Sequence, residues 1–313
     1  MNKEFKIFAA PLQGFTEAPW RIAHNEVFGG VDAYYTPFVR VDKGRLRNKD
    51  MRDVAPVSCP GLHTVPQIIA SEADEFRFLA DYIISLGYKE IDLNMGCPFP
   101  LIVNRGKGSG LLPETDKIAS ILDVMGNEYA GISFSIKMRL GMSSADEWKN
   151  VLPLLNDSCV KMVTLHPRIG KQQYKGNVDM ESFARFYNEC RKPLVYNGDI
   201  TSVDDICSIR QNYPFLEGVM TGRGILANGA LASCFKNGSS VDSHELYRMT
   251  LKMHKLIFSH YSSTIEGGDV QLLQKMKTMW EYWLPDMDKK KRKAILKAGK
   301  LDLYLRAVEN ICY

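Results

Sequence analysis

Cys97 is the residue best placed for chemistry. It sits in the run Glu90-Ile-Asp-Leu-Asn-Met-Gly-Cys-Pro-Phe-Pro100. Ile91, Leu93 and Met95 alternate with Asp92 and Asn94, the period of a short strand. Gly96 breaks that strand, and neither Pro98 nor Pro100 can continue it centrally, so Cys97 falls on a stiff loop at its end. A lone cysteine is more often a small buried hydrophobe than a reactive one. Downstream, Gly106, Gly108 and Gly110 alternate with Lys107 and Ser109. Glycines at that spacing permit close backbone approach or a positive φ.

Other functional side chains share that kind of position. Gln13, Gln67, Lys137, Arg139, His166, Asn197 and Arg223, with Asn94 and Cys97, lie at or just past the C-terminal ends of predicted strands. Those strands are expected at 5–14, 32–39, 64–69, 90–95, 132–140, 161–167, 193–199 and 218–224. Thr16 is expected to cap a helix with Pro19 in its first turn, and Ser71 to cap the helix carrying Phe76, Leu79, Tyr82 and Ile83. Further helices are expected at 115–125, 148–155 (interrupted near Pro153), 180–190 and 202–210. Strands and helices alternating in this way fit a (β/α)8 TIM barrel, with a doubly wound sheet as the alternative. Polar residues gathered at one end of the strands favour the barrel, whose active sites occupy that face.

After about residue 240 the pattern becomes purely helical, with Leu246/Met249/Met253, Leu272/Met276/Trp280 and Ile295/Leu301/Leu305 at helical spacing. The expected division is a catalytic barrel over 1–240 and a small C-terminal all-helical domain over 241–313.

Composition narrows the partners. The 313 residues are 45% hydrophobic and 24% charged, ordinary for a soluble globular chain. No apolar run is long enough to cross a membrane, and the N-terminus has no signal-peptide core. Seven cysteines without a C-x-x-C pair suggest neither a disulfide framework nor a metal site, and a reducing cytoplasm. The net charge is +4, but from Ser243 onward there are 13 Lys+Arg against 8 Asp+Glu, leaving 27 against 28 in the rest. The basic excess lies in the tail, as a solvated helix face or a surface for an anionic polymer.

The turns Asn197-Gly198-Asp199 and Gly222-Arg223-Gly224 end strands seven and eight, where barrels often hold a phosphate. A phosphate there, with Lys137 and Gln67 on opposite walls, suits flavin mononucleotide. The lysine would reach the N1–O2 edge of a reduced ring, and the glutamine amide its pyrimidine edge. His166 would bind cofactor or substrate.

Asn94-Met95-Gly96-Cys97-Pro98 with Gly106-Lys-Gly-Ser-Gly-Leu-Leu112 closely resembles the signature of the tRNA-dihydrouridine synthases. Ala10-Pro11-Leu12-Gln13-Gly14-Phe15-Thr16 resembles the family's opening flavin-binding turn. Pro66-Gln67, Lys137-Met-Arg139-Leu-Gly141, Tyr174-Lys-Gly176, Asn197-Gly-Asp-Ile200 and Val219-Met-Thr-Gly-Arg-Gly224 match later motifs. The departures are Leu12 for the common methionine, Pro167-Arg168-Ile169 for Gly-Arg-Thr, and Ser109-Gly110 in the glycine-rich loop.

The resemblance implies FMN as cofactor, NADPH as reductant and a tRNA D-loop uridine as substrate, reduced at its C5–C6 bond with Cys97 as general acid. Pro11, Leu12 and Gln13 would line the flavin. Asn94 would orient the uracil, Lys137 and Arg139 would stabilise negative charge on its oxygens, and Tyr174 would stack on it or hydrogen-bond to it. The helical tail would hold tRNA, with Lys275, Lys277 and the 289–293 run as phosphate contacts. Phe38-Val-Arg-Val41 is most similar to the branch acting at position sixteen. A monomer is expected. Three rival readings remain open: a small-molecule FMN reductase, a lyase or isomerase using Lys137, and an RNA-binding protein with an inactive barrel.

Overall fold

The computed structural model describes residues 4–312. Eight parallel barrel strands run Lys6–Ala9, Ala33–Tyr35, 64–68, Glu90–Met95, Ser133–Gly141, Met162–Ile169, Leu194–Tyr196 and Gly218–Thr221. The third is split at Pro66 into Thr64–Val65 and Gln67–Ile68. Proline has no N–H to give the ladder, so the break falls there. The first half pairs with strand two and the second with strand four; strand one pairs with strand eight. The sheet therefore closes on itself as a TIM barrel.

Alternation sets the layers. Ile91, Leu93 and Met95 join the large apolar core, which also contains the helix residues Leu79, Ile83 and Ile121. Asp92 and Asn94 take the opposite face, in register with Gln67, Ser135 and Lys137. A smaller cluster including Phe8, Tyr35, Val65, Val195 and Met220 is separate from that core.

Several local expectations change. The first helix is Ala18–Val27, and Thr16 does not cap it. Its hydroxyl accepts from Leu12 N–H at 2.8 Å and so closes the 12–16 turn instead. Ser71 does not cap Ala73–Ser85; Glu75 reaches back to its N–H and hydroxyl. Pro153 does not interrupt Trp148–Asp157. It lies on the exposed face, where water can take the carbonyl it leaves free. Strand eight stops at Thr221, because Gly222 already caps the short helix Arg223–Ala227.

Pro167 is accommodated inside strand six. The register with strand five shifts between the Arg139–His166 and Gly141–Ile169 pairs, and a bulge is where a strand tolerates proline. His166 keeps its place opposite Arg139.

The tail forms Ser243–Thr264, Gly268–Met279, Lys289–Lys297 and Leu301–Glu309. Its centre is Tyr304, whose hydroxyl meets His254 Nε2 at 2.7 Å and accepts from Trp280 Nε1 at 2.9 Å. Ser243–Thr264 packs along Ala18–Val27 of the barrel. At that seam Glu17 accepts from Lys275 at 2.8 Å and from the Tyr261 hydroxyl at 2.9 Å, with Lys49 at 2.6 Å. No helix among the described residues is long and apolar enough to cross a membrane.

Candidate active site

Two cavities open at the C-terminal ends of the strands. The larger, about 750 Å³, is lined by Pro11, Leu12, Gln13, Asn94, Cys97, Lys137, Arg139, His166, Tyr174 and Arg223, among others. The smaller, about 430 Å³, adds Asn197, Gly198, Asp199 and Gly222. Lys137, His166, Tyr174 and Arg223 line both, so the two are compartments of one site. The fold thus gathers residues that are far apart in sequence.

The Cys97 loop is held from two sides. Asn94 Oδ1 accepts from Gly96 N–H at 3.0 Å and from Cys97 N–H at 2.8 Å. Behind it, Ser109 N–H and Oγ both donate to the Cys97 carbonyl, each at 3.0 Å. Gly108 has φ +60°, and a Cβ there would lie 2.6 Å from that carbonyl. The glycine spacing therefore serves the approach of one loop to the Cys97 loop. Burial pushes the Cys97 thiol up, against the opposing pull of the Phe99 backbone, Arg139, Lys137 and Arg40. The thiol accordingly keeps its proton at neutral pH.

The Lys137 side chain makes no hydrogen bond or ion pair among the described residues, although it lines both compartments. Burial and the Arg139 charge bring it down to about 8, with Asp92 and Cys97 opposing. His166 is driven well below its ordinary value by burial and by four surrounding cations, so it is neutral. Arg168 can only donate, at 3.1 Å, to His166 Nε2, so the ring proton sits on Nδ1.

The smaller compartment has the features of an anion cradle. The N–H groups of Gly198, Asp199 and Gly222 have no hydrogen-bond partner among the described residues. Gly198 is buried, and a Cβ there would meet the Tyr196 hydroxyl at 2.9 Å. A Cβ on Gly224 would lie 1.9 Å from Ile200 O, so the two turns need glycine to pack together. Asn197 is fixed by its bond to Met220 O at 2.7 Å. Orphaned donors beside an arginine fit a phosphate, and the unpaired Lys137 fits the electron-rich edge of an attached ring.

Several of the expected contact residues have partners inside the protein. Gln67 is fully enclosed and lines neither cavity; its amide bonds Asp92 Oδ2 at 2.7 Å and Asn94 Nδ2 at 2.8 Å. It supports Asn94 from behind. The Asp199 carboxylate is taken by Arg168 at 2.5 Å and by Arg223 at 2.9 Å, so only its N–H is free for an anion. Lys275 spends its charge on Glu17 and Gly14 O, and Lys277 is bonded to Ala298 O. Within the 289–293 run, Lys291 and Arg292 also turn inward, onto backbone carbonyls. Arg139 lines the cavity, but Nε and Nη1 are committed to Gly96 O, Ile169 O and Gln173 O.

Tyr282, Arg40, Arg47 and Arg168 were given no role at the site from the sequence. Tyr282 comes from the tail and stacks edge-on against Phe15 with centroids 5.0 Å apart. Arg40 and Arg47 line the larger cavity without an ion pair or side-chain hydrogen bond among the described residues. Arg168 is buried and ties His166 to Asp199. The signal for it was its place in His166-Pro-Arg-Ile169, where it keeps the arginine of the family's His-Gly-Arg-Thr. Tyr174, 46% exposed, lies between the guanidinium groups of Arg139 and Arg223, 5.5 and 4.7 Å from its ring centre.

Comparison with known proteins gives a consistent picture. A family model described as dihydrouridine synthase matches residues 8–299. A probable tRNA-dihydrouridine synthase of Helicobacter pylori strain J99 is 29% identical over 289 residues, covering 90% of this chain and 83% of the relative. One of Staphylococcus aureus strain COL is 28% identical over 268 residues, covering 80% and 77%. Among solved structures, morphinone reductase in complex with tetrahydroNAD superposes with TM-score 0.54 at 9% identity, over 76% of this chain and 88% of that one. Histamine dehydrogenase from Rhizobium sp. 4-9 gives 0.55 at 10%, over 79% and 49%. At such identities these two speak for the fold alone.

Proposed function

The chain belongs to the dihydrouridine synthase family, and from that premise we propose that it is an FMN-dependent enzyme reducing the C5–C6 bond of a D-loop uridine in tRNA. NADPH is the proposed reductant. The observation that carries the reading is the meeting, in one cavity, of the Cys97 thiol with the unpaired Lys137 side chain.

The N–H groups of Gly198, Asp199 and Gly222, with Arg223, would hold the FMN phosphate. Lys137, His166 and the turn Pro11–Leu12–Gln13 would border its ring. Once bound and reduced by NADPH, FMN would supply the hydride that adds to uracil C6. Cys97 donates its proton to C5 and afterwards recovers one from solvent, so atoms and charge balance. Lys137 and the free Nη2 of Arg139 stabilise the negative charge that develops on the uracil oxygens. Asn94 holds the Cys97 loop in place, and Tyr174 offers a face for stacking.

The uridine must leave the folded tRNA to enter this cavity, at a cost of a few kcal/mol. Contacts to the flanking phosphates offset that cost. Arg40 and Arg47 are the candidates beside the cavity. On the tail the exposed lysines Lys289, Lys290 and Lys293 are better placed for this role than Lys275 and Lys277. The test is the absorption spectrum of the purified protein together with dihydrouridine formation in unmodified tRNA on adding NADPH. A flavin spectrum with product supports the proposal. Flavin without product on any tRNA points to a small-molecule reductase, and a protein that takes up no flavin removes both.

A further inference from the structure

Asp92 lies beneath the site, fully buried, and nothing in the reaction above uses it. Its Oδ1 accepts from the Ser135 hydroxyl at 2.6 Å and its Oδ2 from Gln67 Nε2 at 2.7 Å. Gln67 Oε1 then accepts from Asn94 Nδ2 at 2.8 Å. Asn94 Oδ1 accepts from the N–H groups of Gly96 and Cys97. Four residues thus form one directed chain from a carboxylate to the loop that carries the thiol.

The direction of the chain is fixed at both ends. An ionised carboxylate only accepts, and a backbone N–H only donates. Two amides lie between, and either could be turned over to exchange its oxygen and nitrogen. With the carboxylate in place, Gln67 must turn its nitrogen to Asp92 and its oxygen to Asn94. Asn94 must then turn its nitrogen to Gln67 and its oxygen to Cys97. Reversing either amide sets donor against donor. Burial raises Asp92 to about 6, with the Ser135 and Gln67 bonds and the Lys137 charge opposing.

We propose that Asp92 is a positioning residue: acting through Gln67, it anchors the Asn94 amide that holds the Cys97 loop, and so the placement of Cys97. This rests on the reading of Cys97 as the proton donor. The geometry itself is testable without cofactor or turnover.

The probe is iodoacetamide, with alkylation of Cys97 followed by peptide mass mapping in the flavin-free protein. Asp92→Leu removes the acceptor and is expected to change the Cys97 alkylation rate by about tenfold, the scale of one lost buried hydrogen bond. It should also lower kcat for tRNA with little change in KM. Asp92→Asn can still accept from Gln67 while donating to Ser135, and should restore the wild-type alkylation rate. Gln67→Met removes the middle link and should reproduce the Asp92→Leu effect; the double variant should add nothing. If Asp92→Leu does not fold, Gln67→Met carries the test.

An unchanged Cys97 rate in folded Asp92→Leu or Gln67→Met overturns the proposal. So does an Asp92→Asn variant as altered as Asp92→Leu. Failure of the underlying reading is visible separately, as Cys97→Ala keeping full dihydrouridine formation.

Discussion

Lys275 of the helical tail donates to Glu17 of the barrel at 2.8 Å, across 258 residues of sequence. The pair sits in the seam between the two parts of the chain, with Lys49 and the Tyr261 hydroxyl on the same carboxylate. Lys275, expected as an RNA contact, here joins barrel and tail. Lys275→Met should therefore lower thermal stability by roughly 2 kcal/mol, because Lys49 compensates only part of the buried charge. Its effect on tRNA affinity should be small once the protein is folded. Calorimetry and a filter-binding titration check the two halves.

The same carboxylate gives a pH prediction. Burial opposes ionisation of Glu17, but Lys275 and Lys49 outweigh it and bring its pKa down to about 2 from 4.5. A depressed carboxylate stabilises the fold above its unfolded pKa and loses that contribution as pH falls. Between about pH 4.5 and 2 the wild type should lose stability more steeply than Glu17→Gln. Denaturant midpoints across that window measure it; parallel curves would remove Glu17 from the seam.

Cys97 should titrate above the ordinary 9.0 of a thiol. Burial is the first cause, so Cys97 alkylation in the flavin-free protein should be slow at neutral pH and should rise only in alkali. Cys207, which is exposed, is the internal reference. A Cys97 midpoint below 9.0 would contradict the assignment of an acid that keeps its proton.

Arg223, half-buried at the wall of both compartments, should matter for the cofactor. It rests on Asp199 at 2.9 Å and against Tyr174, beside the free N–H groups of the smaller compartment. Arg223→Ala removes a charged hydrogen bond and should weaken FMN binding by about tenfold or more. Fluorescence titration of the flavin-free protein with FMN reads this directly.

Arg40 and Arg47 make a different prediction. If each neutralises a phosphate beside the extruded uridine, Arg40→Gln and Arg47→Gln should each reduce the salt slope of tRNA binding by about 1. Affinity for FMN should not move. An unchanged slope in both variants would place the flanking phosphates elsewhere.

The barrel was legible because alternating strands and helices leave few closed solutions, and because the functional side chains recur at one end of the strands. Asn94, Cys97, Lys137, His166 and Arg223 could each be placed from their local sequence. Partners could not. Gln67 has the right type and strand position for a ring contact, but its facing residue in the register is Asp92, which takes its amide. Lys275 and Lys277 look like solvated charges until the tail folds against Glu17 and Ala298. Tyr282 reaches the cavity only through the docking of the tail on the barrel. Pairing across such distances is set by tertiary packing, on which local pattern has no purchase.

The most direct test of the account compares wild type with Cys97→Ala, matched for bound flavin by absorbance, with dihydrouridine mapped by mass spectrometry in unmodified tRNA supplied with NADPH. The prediction is modification at one D-loop position, expected at sixteen, by the wild type, and its loss in the variant while the flavin is still reduced. Dihydrouridine formed by Cys97→Ala at the wild-type rate would contradict the role given to Cys97.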